Sequence, residues 1–421
     1  MREGEIRALG EIAGRSVAQP TAVARDVHRA VTRRVFGALG PLGIPVRAIH
    51  DPVSSVSYKT IAAGLRAPLA AGGQALARGA TDASASIAES RAGALALAAA
   101  NGFFGDRLAR EHPELAVPLG FWRDGRQVSL DPAGPAEAFG DATPRIAVFV
   151  HGLCETEEAW RAPYPGVAPR PSYGDRLRSD LGVTPVFVRY NTGLHVSENG
   201  RALAARLDEL VAAWPTRVEG IALIGHSMGG LVARSACRYA ELEDSAFTSQ
   251  VTHVICLGTP HLGATLEKAA NVASWPLGRL PETRPFANLF LNGRSAGIKD
   301  LRFGSCMEED WCDCDPDEFL RDRCCECPFL ESATYCFIAA TLSASPGGPG
   351  GTVGDLLVSY HSAAGRGRRR RIPFAAEHGS HVGGIDHLRL LNHPAVYERI
   401  HEWMAQDPLR RSRPPALDAR V

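Results

Sequence analysis

Short apolar runs alternate with amphipathic, helix-length stretches over most of this chain. The runs are Arg145 to Val150, Val183 to Tyr190, Gly220 to Gly225, Val251 to Leu257 and Tyr335 to Leu342. Near-continuous apolar runs separated in this way predict buried parallel strands in a sheet covered by helices, an α/β architecture. Between them, Ser197 can cap a helix through Leu203, Leu207, Leu210 and Val211, and Met228 to Tyr239 reads as a helix that follows a strand directly. Asn392 as cap and Pro394 as first residue predict a last helix through Trp403. Ahead of the first run, Phe121-Trp122-Arg123 and Arg126-Gln127-Val128 flank Asp124-Gly125, a tight-turn dipeptide, so a hairpin opens this region.

Residues 1–115 follow a different pattern. They are rich in Ala, Arg and Gly, with helical segments Ala22 to Phe36 and Lys59 to Arg78 broken at Gly-Pro and Asp-Pro, and they carry no catalytic motif. The expected organisation is an N-terminal helical region over 1–115, a catalytic domain over 116–405, and a disordered tail over 406–421. Within the catalytic domain the long stretch 262–332 exceeds any ordinary connection in such a sheet and predicts a cap insertion. Trp275, Leu277, Leu280, Phe286, Leu289, Phe290 and Leu291 would offer that cap an apolar surface, and Gly278 and Gly293 would let it move.

Composition narrows the partners. With 46 basic and 46 acidic side chains the formal charge is zero, so no overall field favours nucleic acid, and none is expected as a partner. The first twenty residues mix Glu3, Glu5, Glu11, Arg7 and Arg15 among apolar positions, unlike a secretory signal. The apolar stretch Ala92 to Gly105 is too short to span a bilayer. A cytoplasmic location is expected, in which thiols stay reduced. Six of the ten cysteines lie between Cys306 and Cys327, a cluster that admits zinc, disulfides or free thiols. The run Arg366, Arg368, Arg369, Arg370 and Arg371 is either a solvated loop or a peripheral contact to anionic lipid headgroups.

Chemistry concentrates at Gly225-His226-Ser227-Met228-Gly229-Gly230, which joins the strand run Ile221 to Ile224 to the helix after it. A serine there sits on a sharp turn that exposes its hydroxyl, the arrangement of an activated nucleophile. His151-Gly152-Leu153 ends the strand Ile146 to Val150. Acyl transfer needs two amide donors at the developing oxyanion, and the amides of Met228 and Leu153 are the candidates. His226 and His261 are set aside, the first as a packing residue and the second as ordering the Thr259-Pro260 turn.

Those two strings, extended to Leu231, together with Leu257-Gly258-Thr259-Pro260-His261-Leu262-Gly263, resemble the lipase-like α/β-hydrolases. The branch meant contains bacterial triacylglycerol lipases and the inositol deacylases of lipid anchors. The resemblance runs from about Arg145 to Trp403. It implies an α/β-hydrolase fold, a Ser-Asp-His triad in that chain order, no cofactor and no metal, and acyl-ester substrates. It assigns the acid to Asp355 in Gly354-Asp355-Leu356-Leu357-Val358, with Asp300 and Asp386 as rivals. The base falls to His387, followed by a Leu-rich step and His393-Pro394-Ala395-Val396-Tyr397, with His381 as rival. The function so implied is a serine carboxylic ester hydrolase. An acyltransferase using the same triad, or a non-catalytic binding protein on this fold, would fit the same motifs.

Overall fold

The computed structural model describes residues 1–40, 44–80, 86–161, 170–265, 267, 268, 293–315, 318, 320–347, 351 and 353–406. Trp275, Leu277, Gly278, Leu280, Phe286, Leu289, Phe290 and Leu291, on which the cap expectation rests, lie outside the described residues, as does the tail from 407.

Eight strands form one sheet: β1 (Gly120–Arg123), β2 (Arg126–Gln127), β3 (Arg145–Val150), β4 (Thr184–Arg189), β5 (Gly220–His226), β6 (Val251–Leu257), β7 (Thr334–Thr341) and β8 (Gly379–Gly383). Their spatial order is β2-β1-β4-β3-β5-β6-β7-β8. From β4 to β8 every pairing is parallel, whereas β1 runs antiparallel to both β4 and β2. Asp124 and Gly125 make the hairpin turn with φ of 50° and 74°, the positive values that a two-residue loop demands.

Alternation along each strand divides the core between two faces. Ile146, Val148 and Val150 of β3 join Leu203 and Leu207 of the helix Val196–Ala213 and Leu231 and Val232 of the helix Met228–Leu242. Ala147 and Phe149 point the other way, into a cluster with Tyr173 and Leu177 of the helix Tyr173–Leu181 and Val396 and Ile400 of the last helix, Pro394–Ala405. Both faces are covered, which is why these strands read as continuous apolar runs. This is the α/β-hydrolase fold, and the sheet order places the ends of β3, β5, β6 and β7 side by side.

Several local expectations are corrected. The helix expected from Ser197 starts at Val196 with His195 as cap, while Ser197 lies in its first turn and accepts a hydrogen bond from Trp311 Nε1 at 2.9 Å. The last helix is capped by His393, not Asn392. Residues 379–383, outside the strand runs read from the sequence, form β8 at the sheet edge.

At the N-terminus two long helices replace the broken segments: α1 (Glu3–Leu39) runs through Pro20, and α2 (Ile44–Ala77) through Pro52 and Pro68. Antiparallel packing outweighs the prolines here. A Cβ on Gly14 would meet the Arg66 carbonyl oxygen at 2.7 Å, and one on Gly73 would meet Gly10 Cα at 2.8 Å. The next helix, α3 (Arg91–Glu111), presses its glycine face onto the sheet's upper loops, since Cβ atoms at Gly102 and Gly105 would collide with Cys154 and Asn191. Among the described residues, no helix is long and apolar enough to cross a membrane.

Candidate active site

Ser227 stands between the end of β5 and the start of the helix Met228–Leu242 with φ 53° and ψ −121°. A non-glycine residue rarely occupies this region, which costs about 1–3 kcal/mol and is tolerated where neighbours over-determine it. Here the neighbours are backbone. A Cβ at Gly229 would lie 2.1 Å from the Val150 carbonyl oxygen, and one at Gly225 would lie 2.4 Å from Gly230 N. The helix start is thus pressed against the end of β3, and the serine is pushed out of the turn, half-buried among buried residues.

Asp355 and His387 come together from two loops. Asp355 is fully buried; its Oδ1 accepts the amides of Leu357 at 3.1 Å and Val358 at 2.8 Å, and its Oδ2 lies 2.7 Å from His387 Nδ1. The loop bends tightly enough for this because Gly354 and Leu356 take φ of 64° and 89°. The His387 amide also donates to the Asp355 carbonyl at 3.1 Å. Behind the ring, Gly258 has φ 57°, and a Cβ there would meet His387 Cε1 at 3.1 Å and Leu390 Cδ1 at 2.6 Å. With Nδ1–H given to the carboxylate, Nε2 carries the free lone pair. That atom is buried and has no hydrogen-bond partner, so Ser227 Oγ and His387 Nε2 are not hydrogen-bonded in this conformation.

The rivals are engaged elsewhere. Asp300 binds His195 Nδ1 at 3.1 Å and the Val196 amide at 2.8 Å. Asp386 accepts the amides of Leu388 and Arg389, both at 3.1 Å, and so caps a short helical turn. His381 sits on β8 with Nε2 2.8 Å from Thr341 Oγ1.

The loop after β3 approaches the serine closely: a Cβ on Gly152 would lie 3.1 Å from Ser227 Cβ. Among the described residues neither the Leu153 nor the Met228 amide has a protein acceptor. His151 is buried and stacked on Tyr190 with centroids 4.5 Å apart, its Nδ1 2.9 Å from the Gly152 carbonyl oxygen. Burial lowers its pKa, so it packs as a neutral ring.

Sequence reasoning did not pair Glu155 with His226. Glu155 Oε2 accepts the Gly152 amide at 2.7 Å and lies 3.2 Å from His226 Nδ1, and His226 Nε2 lies 3.2 Å from the His387 carbonyl oxygen. Nothing in the chain order marks Glu155, whose only signal was a carboxylate just after a strand end. His261 is buried as well and takes a hydrogen bond from Arg234 Nη1 at 3.1 Å. Burial and the guanidinium groups of Arg234 and Arg370 push its pKa well down.

Arg370 departs from the expected surface run: it turns inward to the His261 carbonyl at 3.0 Å and to the Phe303 carbonyl, whereas Arg366, Arg368, Arg369 and Arg371 are exposed. All ten cysteines are free thiols, and no group of metal-ligating side chains occurs among the described residues. Part of the 262–332 stretch is anchored, since Ser235 Oγ donates to the Cys306 carbonyl at 2.6 Å and Arg234 Nη2 to the Cys327 carbonyl at 3.3 Å.

Residues 201–275 match the PGAP1-like alpha/beta domain. Comparison with curated proteins gave no match. Among solved structures, the lipase BlEst2 of Bacillus licheniformis in its mature form is similar at 21% identity and a TM-score of 0.39, over 62% of this chain and 92% of that one. The Pyrobaculum calidifontis esterase is similar at 15% identity and a TM-score of 0.35, over 62% of this chain and 74% of that one. The Pyrococcus furiosus esterase Pf2001 is similar at 15% identity and 0.35, over 63% and 84%. The eight-stranded, mostly parallel sheet is that of the α/β-hydrolase fold, and the segment that carries the serine turn is similar to the PGAP1-like alpha/beta domain.

Proposed function

We propose that this protein is a serine carboxylic ester hydrolase, with Ser227 as nucleophile, His387 as general base and Asp355 as the acid that orients it. The observation that carries the reading is the buried Asp355–His387 pair, 2.7 Å apart, whose Nε2 has no hydrogen-bond partner, together with the strained, half-buried serine on the turn after β5. Ser227 Oγ attacks the ester carbonyl while His387 Nε2 takes its proton, and Asp355 stabilises the imidazolium that forms. The amides of Leu153 and Met228 receive the oxyanion. His387 then protonates the leaving alcohol, and water, activated by the same imidazole, releases the acid from Ser227. The chemistry asks for no cofactor. The catalytic unit is proposed to span 116–405.

Exposed apolar side chains flank the pair along the chain and favour an acyl substrate. Leu356 and Leu388, adjacent to Asp355 and His387, are 60% and 53% exposed, and Leu342, Val353 and Leu357 are exposed on the same loops. Leu356→Asp and Leu388→Asp should therefore reduce turnover of long-chain esters more than of acetate esters. Equal loss on both would remove the acyl contact from the proposal. The four outward arginines are proposed as a peripheral contact to anionic lipid, and their replacement by Gln should weaken binding to anionic but not to neutral vesicles. Free thiols throughout suit a reducing, cytoplasmic setting. The nucleophile itself is tested by Ser227→Ala, which should abolish ester hydrolysis and leave the melting temperature nearly unchanged; substantial residual turnover contradicts it.

A further inference from the structure

His226, next to the nucleophile, is fully buried, and both its ring nitrogens face acceptors. Nδ1 lies 3.2 Å from Glu155 Oε2 and Nε2 lies 3.2 Å from the backbone carbonyl oxygen of His387. A carbonyl oxygen can only accept. A neutral imidazole has a single N–H and can serve one of these neighbours, while an imidazolium has two and serves both. The alternative is a neutral pair in which Glu155 keeps the proton and donates it to Nδ1. The chemistry of Glu155 opposes that, because the same oxygen already accepts the Gly152 amide at 2.7 Å, and a hydrogen bond to the charged form favours the charged form.

We infer that His226 is a permanent imidazolium, paired with the Glu155 carboxylate, and acts as a positioning residue that clamps the oxyanion loop, the serine turn and the catalytic histidine into one unit. Glu155 holds Gly152, one residue before the proposed oxyanion donor Leu153; His226 holds Glu155 and is bonded covalently to Ser227; its other nitrogen fixes the backbone of His387. Three loops from three strand ends thereby share two hydrogen bonds and one ion pair. The groups that face the imidazole are few. Glu155 comes from the loop after β3, His387 lies with its ring centroid 4.7 Å away, and Trp160 presents an edge at 6.3 Å. Asp355 adds a further negative charge, and burial pushes His151, which also acts on Glu155, toward its neutral form.

The charges are matched to the reaction proposed above. An unpaired carboxylate beside the oxyanion donors would oppose the negative charge that develops on the substrate, and an unpaired cation beside His387 would oppose its protonation. As an ion pair the two cancel at both places. The electrostatics agree in sign. Burial alone would lower His226, but the Glu155 charge and the two hydrogen bonds outweigh it and raise its pKa. Burial alone would raise Glu155, but the His226 charge and the Gly152 amide hold it at about 2.

The inference deepens the esterase reading, so its two tests are kept separate. The first is nitrogen-15 correlation spectroscopy of the histidine side chains in the full-length protein at pH 8, with His226→Gln to assign the signals. Two protonated nitrogens on one ring are expected, whether or not the protein is an esterase. One protonated nitrogen overturns the inference. The second is ester hydrolysis by Glu155→Gln. Without the carboxylate the buried ring sheds its proton, so kcat should fall about 10- to 100-fold with KM within about twofold. Glu155→Asp, which keeps a carboxylate for the ring and the Gly152 amide, should recover part of the loss. Loss in kcat and KM together with a lowered melting temperature, and no recovery in Glu155→Asp, would mean that Glu155 serves the fold alone and also overturns the inference. If Ser227 proves inert in the wild-type protein, the esterase reading fails while the spectroscopic result stands.

Discussion

Replacing Asp355 by Asn tests how the site holds its base. The two oxygens of Asp355 are not equivalent: Oδ1 faces two backbone amides, at 3.1 and 2.8 Å, and Oδ2 faces His387 Nδ1 at 2.7 Å. An asparagine cannot put its NH2 toward two N–H donors, so its oxygen must take the Oδ1 position and its NH2 must face the imidazole. His387 Nδ1 then has to accept, and the ring proton moves to Nε2, the atom that must take the serine proton. The variant keeps the shape of the site and inverts the tautomer. It also removes the negative charge that stabilises the imidazolium. Loss of both effects in a triad costs about 10⁴-fold in kcat, roughly 5.4 kcal/mol of transition-state stabilisation. The assay is kcat/KM on a p-nitrophenyl ester, with circular dichroism to confirm folding. The variant should retain its melting temperature within a few degrees, and activity should recover partially at high pH, where hydroxide can replace the base. A loss below tenfold in a folded variant would refute the reasoning and return the acid role to Asp300 or Asp386.

Three further outcomes are expected. Gly258→Ala places a Cβ 3.1 Å from His387 Cε1 at a backbone φ of 57°, so kcat should fall by about 10²-fold while lipid-ester KM changes little. The check is steady-state kinetics, and unchanged turnover would show that the ring has room to shift. Glu157 and Arg189 form a buried pair with side chains 3% and 4% exposed, and Arg189 also donates to the Ala88 carbonyl at 2.8 Å. Glu157→Gln leaves that guanidinium uncompensated and should cost about 3 kcal/mol, read from the urea midpoint at constant slope. The Glu155 carboxylate, held at about 2 in the fold against 4.5 when unfolded, stabilises the fold fully above pH 4.5. That contribution is lost as pH falls toward 2, so stability should decline through this window less steeply in Glu155→Gln than in wild type.

Strands were legible wherever both faces of the sheet are covered. The runs at Arg145 to Val150 and Val251 to Leu257 coincide with β3 and β6, because continuous burial leaves little room for polar residues. β8 escaped notice because it lies at the edge and its residues, Gly379–Gly383, are only partly buried and begin and end in glycine. The caps were misread for a related reason: a Ser or Asn near a helix start signals a cap only if the backbone leaves the helix there, and Ser197 is spent on Trp311 instead. The prolines of α1 and α2 suggested breaks, and long-range packing between the two helices overrode them.

At the site, local strings identified the serine turn and the loop after β3, since their chemistry depends on residues adjacent in sequence. Asp355 and His387 are 32 residues apart, and only the resemblance connected them. Glu155 and His226 are separated by 71 residues. Their pairing depends on β3 and β5 lying next to each other, which periodicity alone does not specify. Arg370 was grouped with its neighbours in the basic run because sequence gives no direction to a side chain on a loop.

The central claim, that Ser227 is a nucleophile activated by His387, is tested most directly by covalent labelling. Wild-type protein should react with a fluorophosphonate probe, and digestion followed by mass spectrometry should locate the adduct on the peptide that contains Ser227. Labelling should be absent in Ser227→Ala and slowed by orders of magnitude in His387→Ala, while His381→Ala labels at nearly the wild-type rate. An adduct on any other residue, or equal labelling of wild type and His387→Ala, would contradict the account.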